Sequence, residues 1–206
     1  PSRFSGSGAF AQFGFEASEA LPGLSGVSGS FTFDETRGDL KLNSRDMRVA
    51  VPRVFAEPLL FDTATGKVNW SKGEQGLRLA FDDVRFATPH TSGSANGTWR
   101  SRTQGPGVLE LKAQLGRAEA PHLYRYLPLT LDAHVRDWLR LGITRGTATE
   151  VKIALAGDLA QFPFAEPKRG QFQVAFKVGG ASLDYADGWP VMNDIVADVK
   201  FEGTGL

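Results

Sequence analysis

Several features are absent from this sequence, and each absence excludes a class of protein. None of its 206 residues is cysteine, which excludes disulfides, thiol nucleophiles, cysteine-ligated zinc and iron–sulfur clusters. Lys plus Arg and Asp plus Glu number 23 each, so the surplus of positive charge typical of nucleic-acid-binding proteins is missing. The longest runs without a charged residue, 20–33 and 86–99, are rich in Ser, Thr and Gly, so no membrane-spanning segment is predicted.

The composition that remains is typical of a folded globular chain, with 41% hydrophobic and 22% charged residues. It argues against disorder, collagen and coiled coil. The sequence begins at Pro1 and stops directly after a strand-like run. We therefore expect it to be a piece of a longer protein.

Alternation of apolar and polar residues with a period of two recurs along the chain and predicts strands with one apolar face. The alternating apolar positions are Phe31 and Phe33; Leu40 and Leu42; Val68 and Trp70; Leu77, Leu79 and Phe81; Leu109, Leu111, Ala113 and Leu115; Val151, Ile153 and Leu155; Phe172, Val174, Phe176 and Val178; and Ile195, Ala197, Val199 and Phe201. Turn-forming residues separate many of these runs. The pattern predicts a meander of antiparallel strands.

Helical spacing occurs in one stretch, where apolar residues recur at Leu131, Val135 and Trp138. Thr130 is the predicted N-cap and Gly142 the predicted end. We expect a helical insertion over 121–142, with one or two short helices near 122–142. So short an insertion cannot cover many strands, and the apolar face needs another occupant.

A weak internal repeat relates 25–52 to 64–89. Its starting glycines, Gly29 and Gly66, and its closing prolines, Pro52 and Pro89, are both separated by 37 residues. Repetition at this period predicts a supersecondary unit stacked on its like, and hence an elongated single segment over 1–206.

No arrangement of residues predicts catalysis or metal binding. His90, His122 and His134 have none of the short spacings that metal-ligand pairs show, and we expect them to be surface residues. The segment 62–66, Asp-Thr-Ala-Thr-Gly, is predicted to be a hairpin turn. Nucleophile elbows, phosphate loops and dinucleotide fingerprints are missing. The prediction is a non-enzymatic protein without catalytic residues, metal or cofactor.

Motifs in the second half of the chain resemble the YhdP family of AsmA-like bacterial envelope proteins. They are Tyr126-Leu-Pro128, Val135-Arg-Asp-Trp138-Leu, Gly157-Asp-Leu-Ala-Gln-Phe-Pro-Phe164, Gly170-Gln-Phe172, Leu183-Asp-Tyr185, Gly188-Trp-Pro190 and Phe201-Glu-Gly203. The repeat region is similar to the same family, less distinctively. The resemblance covers most of the chain and implies a middle section of a much longer protein.

The resemblance implies a periplasmic protein held in the inner membrane by an N-terminal anchor outside this segment. It also implies a long, curved, taco-shaped β-sheet around an apolar groove, along which phospholipids pass between the inner and outer membranes. The implied partners are phospholipid acyl chains and outer-membrane or other envelope proteins, with no nucleic acid.

The sequence pattern leads to the same picture, because a curved sheet with one apolar face could line such a groove. We predict that the groove is lined by the in-phase apolar positions of the long strands. These are Phe31, Phe33, Leu40, Leu42, Val68, Trp70, Leu77, Leu79, Phe81, Phe172, Val174, Phe176 and Val178. The helix and the loop around Phe162 and Phe164 are expected to brace or plug the sheet, and the alternative is that they form a lid over the groove.

Two alternatives remain at the level of sequence. In the first, the apolar face closes on itself as a sandwich, and the chain is a structural or docking module of the envelope. In the second, a glycan-hydrolysing sandwich, some of Trp70, Trp99 and Trp189 would be exposed beside carboxylates.

Overall fold

A computed structural model describes residues 4–18, 22–162, 164, 166 and 168–202. Ten strands, one α-helix and two 3₁₀ helices are described. The strands are β1 (Ser5–Phe15), β2 (Gly23–Asp34), β3 (Arg37–Ala50), β4 (Leu59–Gly73), β5 (Gly76–Ala87), β6 (Thr91–Arg100), β7 (Val108–Glu119), β8 (Ile143–Asp158), β9 (Gly170–Leu183) and β10 (Met192–Glu202). The 3₁₀ helices are Ala120–Tyr126 and Leu159–Gln161, and α1 is Ala133–Gly142.

The ten strands form one sheet whose spatial order is the order of the chain, with β1 and β10 at its edges. Every neighbouring pair is antiparallel. The predicted antiparallel meander is therefore confirmed. Neighbouring strands are joined by tight hairpins at several points, as the turn residues indicated, and the sheet is not closed into a barrel.

Two strands lie outside the alternating runs of the sequence. In β1 and β6 the positions that match apolar residues of neighbouring strands are partly occupied by glycine, for example Gly6, Gly8 and Gly97. Glycine has low strand propensity and hides the alternation. The turn predicted at 62–66 is wrong, because these residues lie inside β4, where Thr63 to Thr65 pair with β3.

The helical insertion lies between β7 and β8, and α1 ends at Gly142 as predicted. Its N-cap is Asp132, whose carboxylate accepts hydrogen bonds from the backbone N–H groups of His134 at 2.8 Å and Val135 at 3.4 Å. The prediction of Thr130 is wrong, because Asp132 stands directly before the first helical residue. Among the described helices, none combines the length and apolar character needed to cross a membrane.

The first part of the insertion, residues 120–132, contacts a distant loop and is called the crossing segment. The backbone N–H of Leu129 donates to the carbonyl of Val54 at 2.7 Å. Arg125 and Glu57 form an ion pair at 3.3 Å. Both partners belong to the β3–β4 loop, so the segment spans the ends of the strands between β4 and β7.

Little of the sheet is fully buried. The chain exposes 13550 Å² at a mass of 22.3 kDa, whereas a compact monomer of that mass exposes about 9400 Å². Eight of the described apolar residues are buried, and a small core cluster unites Val27, Met47 and Ala64. A sandwich closed over its apolar face would bury far more of these strands.

Candidate functional site

The face of the sheet that carries Phe31, Leu40 and Val68 is called the apolar face. Strand register aligns its residues in rows that cross the sheet. One row is Gly6, Phe33, Gly38, Trp70, Leu79, Trp99, Leu109, Gly157 and Gly170; the next is Gly8, Phe31, Leu40, Val68, Phe81, Gly97, Leu111, Leu155 and Phe172. Neither row contains a charged side chain, and the only polar side-chain atoms in them are the indole nitrogens of Trp70 and Trp99.

The opposite face, called the polar face, has the reverse composition. The row between the two apolar rows is Ser7, Thr32, Asp39, Asn69, Ala80, Thr98, Glu110, Ala156 and Gln171. Exposed ion pairs join neighbouring strands there, such as Lys177 with Glu150 at 2.8 Å. Along these rows, from β1 to β9, the period of two therefore separates an apolar face from a hydrated face.

Aromatic rings on the apolar face lie over glycines of the neighbouring strand. A Cβ atom added at Gly6 would lie 2.8 Å from the ring of Phe33, and one at Gly8 would lie 3.0 Å from Phe31. At Gly38 it would collide with the indole of Trp70. Rings that lie along the sheet in this way cover the backbone without a second layer of structure above them.

Phenylalanines also form a continuous ladder along β1 and β2. Successive ring centroids are 5.9 to 6.2 Å apart, which is within the range of aromatic contacts. The order of the rings is Phe4, Phe33, Phe31, Phe10, Phe13 and Phe15. Phe13 and Phe15 are 53% and 40% exposed, so this edge of the face presents aromatic surface to its surroundings.

Every residue predicted to line a groove lies on the apolar face. Most are partly buried, and Leu77 is exposed. The register brings those of β2 to β5 into direct cross-strand contact, and it places those of β9 beside Val199 and Phe201 of β10. Whether they contact lipid stays a prediction.

Positions of β6 to β8 belong to the same rows but lie outside the predicted lining set. Trp99, Leu111 and Leu155 are examples, and Phe10 extends the face onto β1. The alternation of β7 and β8 is visible in the sequence. It is sufficient to assign their apolar residues to the predicted lining set. For Phe10 and Trp99 the signal is hidden by neighbouring glycines.

The loop after β8 covers one end of the apolar face. Phe164 is 2% exposed, and its ring lies against Gly157 and Gly170, where an added Cβ would meet it. Phe162 packs edge-on against Phe172, with ring centroids 5.2 Å apart. This contact agrees with a bracing role for the loop.

The face extends over a length that suits a hydrocarbon chain. The rows cross nine strands, β1 to β9, which at about 4.8 Å spacing gives about 38 Å, while one leaflet of a bilayer contributes about 15 Å of hydrocarbon. The rows thus offer a continuous apolar surface longer than an acyl chain of that thickness.

The structure brings together two histidines that sequence spacing treats as separate. The rings of His90 and His122 stack with centroids 3.5 Å apart. The Glu119 carboxylate lies 3.6 Å from Nδ1 of His90 and 3.4 Å from Nε2 of His122. Burial, and then the neighbouring His90, lowers the pKa of His122. His134 is exposed at the start of α1.

Comparison with known proteins adds a relative. The chain is 22% identical over 189 residues to the protein named "Intermembrane phospholipid transporter YhdP" of Escherichia coli strain K12, an alignment that covers 90% of this chain and 15% of the relative. The chain thus corresponds to a small part of that protein's length. No solved structure matches this chain.

The family comparison covers the whole sequence. The family described as "YhdP protein" matches residues 1–206, which agrees with the resemblance of the sequence motifs. The chain belongs to the YhdP family.

Proposed function

We propose that this chain is a segment of a lipid-transfer conduit in the bacterial envelope, and that its apolar face carries phospholipid acyl chains between the inner and outer membranes. The observation that carries the proposal is the pair of uncharged rows that cross the sheet while their side chains remain only partly buried. A face of this extent needs a partner, because large apolar surfaces are unfavourable in water.

The energetics favour such a surface as a path for lipid. Each CH₂ group of an acyl chain costs about 0.8 kcal/mol in water, so a tail with about 15 of them faces a barrier on the order of 12 kcal/mol. Contact with an apolar face removes much of this cost. Rows of Phe, Leu and Val offer similar contacts at successive positions. No single position therefore binds the acyl chain much more tightly than the next, and the chain can move along the face.

The polar face and the edge of the apolar surface have complementary roles in this proposal. The charged and amide side chains of the polar face keep the outer side of the sheet hydrated, and the phospholipid headgroup stays in water. Recognition of a specific headgroup is not required, and the function needs no catalytic residue or cofactor.

The relative's name describes an intermembrane phospholipid transporter, which supports a place in the cell envelope, and the finer cellular setting is part of our proposal. The segment would lie in the periplasm within a longer protein anchored in the inner membrane. Outer-membrane or other envelope proteins would receive the lipid.

The test is native mass spectrometry with lipid extraction on the protein purified from a bacterial host. The parent is expected to carry phospholipid. The double variant Val174→Asp with Phe176→Asp should lose it, because Val174 pairs with Phe201 and the ring of Phe176 stacks on that of Phe201 with centroids 6.1 Å apart. Two carboxylates there would place charge on the apolar face, beside its edge strand β10.

The matched control is Gln171→Asp with Ala175→Asp, which adds the same charges to the polar face of the same strand, where Gln171 is exposed and pairs with Ala156. Ala175 pairs with Lys152 of β8 and Lys200 of β10, so a carboxylate is accommodated there. This control should fold and retain lipid. A folded parent without phospholipid would contradict the proposal and favour the structural or docking module instead.

A further inference from the structure

The cluster of His90, Glu119 and His122 is called the His–Glu–His cluster. Its members come from three separate elements. His90 lies in the turn between β5 and β6, Glu119 is the last residue of β7, and His122 lies in the 3₁₀ helix of the crossing segment. One potential metal-ligand atom from each residue lies within 4.8 Å of those of the other two.

We propose that the His–Glu–His cluster binds one Zn²⁺ ion, with water as the fourth ligand. Two imidazoles and one carboxylate form a donor set that zinc uses in proteins, and zinc accepts tetrahedral coordination with an open position. The proposal rests on the convergence of these three donors.

The two distances from the Glu119 carboxylate suit a tetrahedral ion, and the third pair of ligand atoms lies within 4.8 Å. With zinc–ligand bonds of about 2.0 to 2.1 Å, the edges of a tetrahedron are about 3.3 Å long. The Glu119 oxygen lies 3.4 Å from Nε2 of His122 and 3.6 Å from Nδ1 of His90. Binding requires the two rings to turn out of their stack, whose planes differ by 15°, toward a common point beside the carboxylate.

The backbone around the cluster holds the three residues in place. The N–H of Glu119 donates to the carbonyl of His90 at 3.1 Å. Thr88 Oγ1 accepts a hydrogen bond from the N–H of His90 at 3.2 Å and contacts the hydroxyl of Tyr126 at 3.1 Å. The turn, the end of β7 and the 3₁₀ helix are therefore connected before any ion binds, which lowers the entropic cost of assembling the site.

One nitrogen of the cluster is unsatisfied by the described residues. Nδ1 of His122 is buried and has no hydrogen-bond partner among them. A buried polar atom without a partner calls for a physical reason, such as an ordered water, and Nε2, which faces Glu119, is the nitrogen left for the ion. All three side chains keep some exposure, at 20%, 50% and 34% for His90, Glu119 and His122, so an ion can reach them from solvent.

A bound ion would crosslink three segments of the chain. It would tie the crossing segment to the β5–β6 turn and to the end of β7, at the end of the sheet where this segment also contacts the β3–β4 loop. Because the ion binds the folded chain more tightly than the unfolded chain, it would raise the stability of the protein.

The test uses protein purified without a polyhistidine tag, stripped with a chelator and titrated with Zn²⁺ by isothermal calorimetry. We expect one equivalent to bind and the melting temperature to rise. Glu119→Gln and His122→Ala should each weaken binding at least about tenfold and remove the increase in melting temperature. His134→Ala is the matched control, because His134 lies outside the cluster, and it should bind zinc as the parent does.

The apo variants are compared by circular dichroism before titration. If His122→Ala fails to fold, Glu119→Gln decides, since its side chain is half exposed and the substitution leaves the backbone hydrogen bond to His90 intact. Absence of saturable binding in the parent, retention of full affinity in Glu119→Gln, or loss of binding in His134→Ala would each overturn the proposal.

Discussion

Neighbouring strands are joined differently on the two faces of the sheet. On the apolar face, rings lie over glycines, as Trp70 does over Gly38. On the polar face, exposed side chains form ion pairs such as that between Lys177 and Glu150. Exposed ion pairs contribute little to stability, whereas ring contacts remove apolar area from water. The stability of this single sheet therefore depends mainly on the face that also carries the proposed function.

The largest effect is expected where a ring is fully enclosed. Phe164→Ala would uncover Gly157 and Gly170 and should lower the free energy of unfolding by about 3 kcal/mol. The control Phe4→Ala removes a ring that is 60% exposed and should cost below about 1 kcal/mol. Urea denaturation of both variants measures the difference. Equal losses of unfolding free energy in the two variants would mean that the burial of Phe164 adds no stability beyond that of an exposed ring.

A smaller loss of stability is expected when a glycine that lies beneath a ring is replaced by alanine. Gly38→Ala would bring a methyl group against the indole of Trp70 and to 2.7 Å from the carbonyl of Thr32. We expect a loss of about 2 kcal/mol, measured from the urea midpoint and slope. Gly73→Ala is the matched control, because nothing lies within 4 Å of its added Cβ, and it should change stability by less than about 0.5 kcal/mol. A neutral Gly38→Ala would argue against the ring-over-glycine contact.

The smallest effect concerns the exposed β2–β3 hairpin. Hydrogen bonds from the backbone N–H of Thr36 and from the side chain of Arg37 lower the pKa of Asp34 from 3.8 to about 2. The folded pKa lies below the unfolded value, so the carboxylate stabilises the fold above about pH 4. This contribution is lost as pH falls from 4 to 2.

Asp34→Asn removes this titration. Its urea midpoint should therefore depend less on pH between 4 and 2 than that of the parent, while the two proteins should behave alike in their pH response above pH 5. Parallel curves over the acid range would show that these hydrogen bonds are not maintained in solution. Such a result would assign still more of the sheet's stability to the apolar face.

Prediction from the sequence succeeds where the signal is local. Runs such as Phe172 to Val178 place their large apolar residues at every second position, so their faces follow from the period of two alone. It fails where the residue type at a position is determined by a contact with another strand. Gly6 and Gly8 read as poor strand formers, and only the rings of Phe33 and Phe31 explain them.

The helical insertion shows the same division. Spacing is sufficient to predict α1 and its end at Gly142, because amphipathic periodicity and helix termination are local. The contact of the crossing segment with Val54 and Glu57 joins residues far apart in the chain. No local pattern predicts such a contact.

By itself the sequence determined the antiparallel meander, the separation into an apolar and a polar face, and the family motifs. These depend on neighbours in the chain, whose side chains alternate by backbone geometry. Tertiary structure alone decided the register of the strands, which sets Gly38 beneath Trp70. It also decided that the rings of His90 and His122 stack on each other. Register and such meetings depend on the closure of long loops and on packing between distant segments, whose energies no short stretch of sequence contains.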